Sequence, residues 1–244
     1  MGKEDKKYTY EEFLDIIRVL RSENGCPWDK VQTHVSLKPC MTEEAAELLA
    51  SIRIYEQTGN AENMLEELGD VLLQVVMHAQ IAEEEGLFTM EDVVDEVSRK
   101  MVRRHPHVFG TGNADTPDEV LVNWEEIKKE EKKGKEWGKS PLREIPQELP
   151  ALTRAAKVLK KADKYYEPGC TYEQDVEALK EAVEVLGTCE PCAYSKELEH
   201  IISDMLMRLS DIARIGKISH EQALIDRIED LIEKYEKLPP SEQA

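Results

Sequence analysis

The chain has 244 residues, 41% hydrophobic and 34% charged but only 6% aromatic, which suits one large or two small domains of amphipathic helices rather than a sheet protein. Acidic residues outnumber basic ones 51 to 32, for a net charge of −19, so the surface repels a nucleic-acid backbone and nucleic acid is not an expected partner. No 18-residue apolar run offers a membrane span, the opening MGKEDKKYTYEE lacks the apolar stretch of a signal peptide, and five cysteines form no dense framework; a cytoplasmic protein with reduced thiols and no membrane partner is expected.

Taken in chain order, the elements are all helical. Thr9-Tyr10-Glu11-Glu12 reads as a capping box, and Phe13, Ile16, Ile17 and Leu20 then share one helix face until Asn24-Gly25. Cys26-Pro27-Trp28-Asp29 reads as irregular. A second helix is expected over 42–57, ending at Gly59, and a third over 61–85, ending at Gly86. Thr89 caps a fourth, with Glu91 and Asp92 in its first turn, which ends near Arg103-Arg104-His105-Pro106. Thr116-Pro117-Asp118-Glu119 opens a fifth, which carries Trp124 and Lys128.

Pro141, Pro146 and Pro150 mark 134–150 as a linker. Helices resume over 151–166, 174–186, 195–215 and 219–237, and no segment alternates like a strand. The expected fold is an all-α helical bundle, with one domain over 1–133 and another over 151–244. Gly86-x-x-Thr89 and Gly216-x-x-Ser219 repeat at an offset of 130, which points to a diverged internal duplication.

The chemistry concentrates in two acidic groups. Glu43, Glu44 and Glu47 share part of one helix face, and Glu67 and Asp70 share a face of the next. Like charges at this spacing repel by roughly 0.2–0.5 kcal/mol per pair. Asp70 opens an apolar run, Val71 to Met77, that reads as buried nearly all round, where a carboxylate needs a partner or a metal. Gly69 weakens the helix by about 1 kcal/mol, a cost that makes sense if backbone or ligand approaches closely. Oxygen donors from two facing helices suit magnesium better than zinc. A solvated face with ordinary salt bridges is the alternative.

With Gly25-Cys26-Pro27-Trp28-Asp29 and Gln32 upstream, and Arg103-Arg104-His105-Pro106-His107-Val108-Phe109 and Trp124-Glu125-x-x-Lys128 downstream, the ordered set resembles the MazG family of all-α nucleoside triphosphate pyrophosphohydrolases. The resemblance covers most of residues 10–133. It implies magnesium-dependent hydrolysis of a nucleoside triphosphate to the monophosphate and pyrophosphate, a nucleotide-housecleaning role, and a homodimer. It places metal on Glu44, Glu47, Glu67 and Asp70, with Glu43 orienting a ligand or helping to activate water. A non-catalytic nucleotide-binding regulator or scaffold is the rival reading.

Lys100, Arg103 and Arg104 are candidates for a phosphate clamp, or are simply a basic helix end favoured by the dipole. Trp124 and Lys128 match family positions near the nucleotide, although Trp124 is equally a core anchor. Trp28 is similarly open, and His105 and His107 are expected to shape a turn. In the second half the first motif reads Lys180-Glu181-x-x-Glu184, and the second reads Glu197-x-x-His200 or, with a gap, Ile201-x-x-Asp204. The basic positions become Asp230, Glu233 and Lys234, so the second copy is expected to bind triphosphate poorly. Cys189-x-x-Cys192 reads as loop cysteines, with a redox pair or half a zinc site as alternatives.

Overall fold

The structure is a computed structural model that describes residues 6–132, 140–188 and 195–238. Cys189 and Cys192 lie outside these. Every regular element among the described residues is helical, in the order α1 (Tyr10–Arg21), α2 (Pro27–Lys30), α3 (Lys38–Thr58), α4 (Glu62–Glu84), α5 (Met90–Arg104), α6 (Pro106–Phe109), α7 (Pro117–Lys132), α8 (Ala151–Tyr165), α9 (Tyr172–Thr188), α10 (Lys196–Ile215) and α11 (His220–Glu236). None is long and apolar enough to cross a membrane. The all-α expectation holds.

Local chemistry explains most boundaries. Thr9 accepts from the Glu12 N–H while Glu12 accepts from the Thr9 N–H, a complete capping box. Gly25 ends the α1 turn because a Cβ there would sit 2.2 Å from the Leu20 carbonyl oxygen. Gly59 ends α3 in the left-handed region (φ 73°), a conformation other residues adopt at a cost. At α7, Thr116 accepts from the Glu119 N–H, but the Glu119 carboxylate takes the Asp115 N–H, so that box is only half formed.

Two expectations are corrected. α3 begins at Lys38 rather than 42, because Pro39 suits a first turn and the Thr42 hydroxyl bonds back to the Lys38 carbonyl (3.1 Å) instead of capping. The stretches read as irregular or as a turn at Cys26–Asp29 and Pro106 each hold a four-residue helix with proline in its first turn.

The chain divides into two compact units, Met1–Ile127 and Lys128–Ala244. In the first, α1, the loop before α3 and the C-terminal half of α4 supply a core of Ile17, Leu37, Val76, Met77 and Ile81. The buried Arg21 guanidinium closes one edge of it. It donates to both Glu84 carboxylate oxygens (3.0 and 2.7 Å) and to the carbonyls of Asp29 (2.6 Å) and Gln32 (3.3 Å). α3 and α4 pack as an antiparallel hairpin about the Gly59 turn.

In the second unit α10 packs on α8 and α9, and α11 on α8. The described part of the expected linker, from residue 140 on, docks on α8: Ile145 is buried and Glu144 pairs with Lys161 (2.7 Å). The buried Asp175 at the start of α9 pairs with Arg208 of α10 (2.9 Å), whose guanidinium also lies 2.9 Å from Cys170 Sγ.

The turn after α4 and the turn after α10 share a device. Leu87 N–H bonds to the Ala82 carbonyl (2.9 Å) and Ile218 N–H to the Ala213 carbonyl (2.8 Å). Each encloses one left-handed residue, Gly86 (φ 71°) and Lys217 (φ 55°). These pairs are spaced by 131 residues, one more than the glycines suggest. Thr89 forms a full capping box on α5, whereas Ser219 makes no side-chain cap on α11.

Candidate metal and phosphate site

The hairpin brings three of the expected carboxylates together. One oxygen from each of Glu44 on α3 and Glu67 and Asp70 on α4 lies within 4.8 Å of the other two, a group able to hold a metal ion. All three are half-buried. At that separation, without a cation, each pair repels by about 1–3 kcal/mol between the limits of water and a near-surface dielectric. The strain registers on Glu44, whose carboxyl pKa is raised first by burial, then by Asp70, Glu47, Glu67 and Glu43.

Glu47 lies one turn further along α3, exposed and outside the trio, close enough to act on Glu44 by charge alone. Glu43 is exposed beside Glu44. Asn63, which sequence reasoning passed over, donates its amide to Glu67 Oε1 (2.8 Å) and fixes that carboxylate. The signal for it was the i, i+4 spacing on α4.

The expectation that Asp70 stands in a run buried all round is corrected. Leu68 is 51% and Leu72 39% exposed, and continuous burial begins near Gln74. The reason is cover: the N-terminal half of α4 is backed by α3, while α1 and Leu37 reach only the C-terminal half. Gly69 is corrected too, since an added Cβ would meet nothing within 4 Å and no neighbouring backbone demands glycine. Gly69→Ala is therefore expected to stabilise the metal-free protein by about 0.5–1 kcal/mol, read as a raised urea midpoint.

Lys100, Arg103 and Arg104 occupy the last turns of α5, whose first residue, Met90, packs on the core shared with α4. His105 caps α5 and opens α6, donating its Nδ1–H to the Met101 carbonyl (2.6 Å). Trp124 of α7 is half-buried and packs edge-on to His105, with centroids 5.0 Å apart and planes at 88°. Lys128, one turn further on, is the first residue of the second unit. Trp28 is exposed on α2.

Residues 32–109, which span the hairpin and α5, match the MazG nucleotide pyrophosphohydrolase domain. The chain is 40% identical over 233 residues to the nucleoside triphosphate pyrophosphohydrolase/pyrophosphatase MazG of Thermotoga maritima, covering 94% of this chain and 85% of that protein. It is 38% identical over 207 residues to the nucleoside triphosphate pyrophosphohydrolase of Escherichia coli K12, covering 84% and 77%. An uncharacterized protein of Bacillus subtilis, YabN, is 53% identical over 159 residues, which is 64% of this chain but 31% of YabN. The chain belongs to the MazG nucleotide pyrophosphohydrolase family.

Proposed function

We propose that the chain hydrolyses nucleoside triphosphates to the monophosphate and pyrophosphate at the α3–α4 hairpin, as a cytoplasmic housecleaning enzyme. The observation that carries this reading is the carboxylate trio contributed by two helices in a chain of this family. The donors are oxygens only, half-exposed and strained against one another, which fits a hard cation that keeps some of its waters. Glu44, Glu67 and Asp70 would hold magnesium, with Glu47 as a further ligand. Bound there, magnesium screens the triphosphate and lowers the pKa of a water.

The chain's own groups do the rest. Asn63 holds Glu67 in place. Glu43, exposed beside Glu44, is placed to orient a ligand or take a proton from water. Lys100, Arg103 and Arg104, the basic cluster in the last turns of α5, are assigned to a phosphate clamp by their charge and their place after the hairpin in the family's order. Trp124, held by His105, and Lys128 are assigned to the nucleotide on the family resemblance.

A homodimer is supported by apolar rows that the chain leaves open. Leu65 (76%), Leu68 and Leu72 form one such row on α4, and Leu49 (65%) and Ile52 form another on α3. Cys26, Cys40 and Cys170 are thiols, in keeping with a reducing compartment. We assign residues about 151–244 to a second, worn copy without a working site.

The test is a product assay with magnesium and a panel of ribo- and deoxyribonucleoside triphosphates. Pyrophosphate and monophosphate are expected in equal amounts, and Glu184→Gln in the second unit is expected to leave turnover unchanged. Free phosphate with diphosphate, or binding without product, would overturn the reading; the second result would favour a nucleotide-binding scaffold.

A further inference from the structure

Two histidines 44 residues apart in sequence meet further along the same hairpin. His34 lies in the loop that leads into α3, and His78 on α4. Their Nδ1 atoms are 2.8 Å apart, and their ring planes differ by 2°. Nitrogen facing nitrogen at that distance between parallel rings is an in-plane N–H···N hydrogen bond rather than a π stack. Such a bond needs one proton. With one Nδ1 donating and the other accepting it is satisfied, whereas two imidazolium rings would set donor against donor.

The surroundings favour the singly shared state. His34 Nε2 lies 3.8 Å from Glu85 at the end of α4, so one positive charge on the pair has a carboxylate beside it. From α1, Arg21 is engaged by Glu84 and by the carbonyls of Asp29 and Gln32 on the α2 side. From α5, Glu91 acts on Tyr10, and Lys38 opens α3. Burial first, and then His34, hold the His78 imidazole below its ordinary value.

The loop that carries His34 is stiff. Thr33 and Ser36 each donate a backbone N–H to the other's hydroxyl (2.9 and 3.1 Å). The Ser36 hydroxyl donates to Gln32 Oε1 (2.7 Å), whose amide donates to the Trp28 carbonyl (2.9 Å). Leu37, the N-cap of α3, is 1% exposed in the core. Where this bracket attaches to α4 therefore sets where α3 begins along α4. Six residues into α3, about 9 Å along the helix, Glu44 is presented to Glu67 and Asp70.

We propose that His34 and His78 are positioning residues for the reaction: their one shared proton locks the start of α3 to α4 in the register that assembles Glu44, Glu67 and Asp70, and a second proton releases it. The proposal rests on reading the hairpin as the hydrolytic site. Because His78 is held below its ordinary value, the lock is complete above the ordinary imidazole pKa of about 6.5 and is lost as pH falls through the lower folded value.

The test compares full-length wild type with His34→Asn, whose amide can bond His78 Nδ1 at any pH, and His34→Leu, which cannot. Pyrophosphate release is measured from pH 8 to pH 5.5 at saturating magnesium and nucleotide. Asn is expected to keep at least about half the turnover at pH 8 and to shed the acid loss below pH 6.5, about fivefold in wild type by pH 5.5. Leu is expected to lose about tenfold throughout. Coinciding profiles for wild type and Asn, or an unimpaired Leu variant, would overturn the proposal. Imidazole resonances of the metal-free chain are followed over the same range. The amide signals of Glu44 and Asp70 are expected to move in step with His78 in wild type and not in the Asn variant; independence in wild type would overturn the lock. If wild type releases no pyrophosphate at any pH, the hydrolase reading falls and the resonances alone decide the lock.

Discussion

Asp70→Asn is expected to lower kcat/KM by about 100-fold or more and to make the metal-free protein more stable. Both effects come from one charge. Asp70 is the largest of the neighbouring charges that push on Glu44, and its oxygen completes the trio within 4.8 Å. An amide keeps the shape and removes the charge, so the Glu44 carboxyl should fall back toward its ordinary range. Relief of repulsion at a half-exposed site is discounted for screening to roughly 0.5–1 kcal/mol, or about 2–4 °C in Tm. Magnesium should raise the wild-type Tm by mass action and leave the variant unmoved. Thermal melts with and without magnesium, beside pyrophosphate release, check both halves. Wild-type turnover in Asp70→Asn would remove the trio from the mechanism.

The largest stability effect is expected from Arg21→Ala, about 3 kcal/mol. Arg21 is 9% exposed and satisfies four acceptors from three parts of the first unit. Its removal leaves the Asp29 and Gln32 carbonyls without that donor and Glu84 without its cation, although Glu84 is exposed enough for water to recover part of the loss. Arg21→Lys should recover little, because a single ammonium cannot reproduce the planar fork.

The pH dependence follows from the same pair. Arg21 holds the Glu84 carboxyl below the usual carboxylate range. A depressed carboxylate contributes stability that is full above its unfolded pKa of about 4.3 and disappears as pH falls through the folded value. Urea midpoints between pH 6 and 3 should therefore fall more steeply for wild type than for Arg21→Ala.

How much of this was legible depends on whether the determinant is local. The Thr9 and Thr89 caps were readable because both partners sit three residues apart. The carboxylate trio was readable because Glu44, Glu67 and Asp70 sit at helical spacing on either side of one glycine turn. Thr42 misled because a threonine hydroxyl can cap a helix or bond back into it, and here it does the latter. Asp70 misled because a run of apolar residues records composition and not which face is covered; Leu72 sits on the open side. His34 and His78 were beyond reach because no local rule links a loop residue to a helix residue 44 positions away. Asn63 looked like any polar residue in a first turn until its amide was seen on Glu67.

If residues about 151–244 are a worn second copy, as proposed, the one-residue difference between the turns after α4 and α10 bears on how that copy drifted. Counted from the left-handed residues Gly86 and Lys217, Glu67 and Asp70 fall opposite Leu198 and Ile201, not opposite Glu197 and His200 or Asp204. A shift of one residue turns a helix face by about 100°, so the acids still present on α10 point elsewhere. Leu198 instead lines a shallow apolar hollow with Ile202 and Leu206. Restoring the missing carboxylate beside Glu197 by His200→Asp would thus charge the wrong side of α10. On that reading, a second metal site would take a deletion in the turn or acids introduced at 198 and 201, a double step that is hard to retrace.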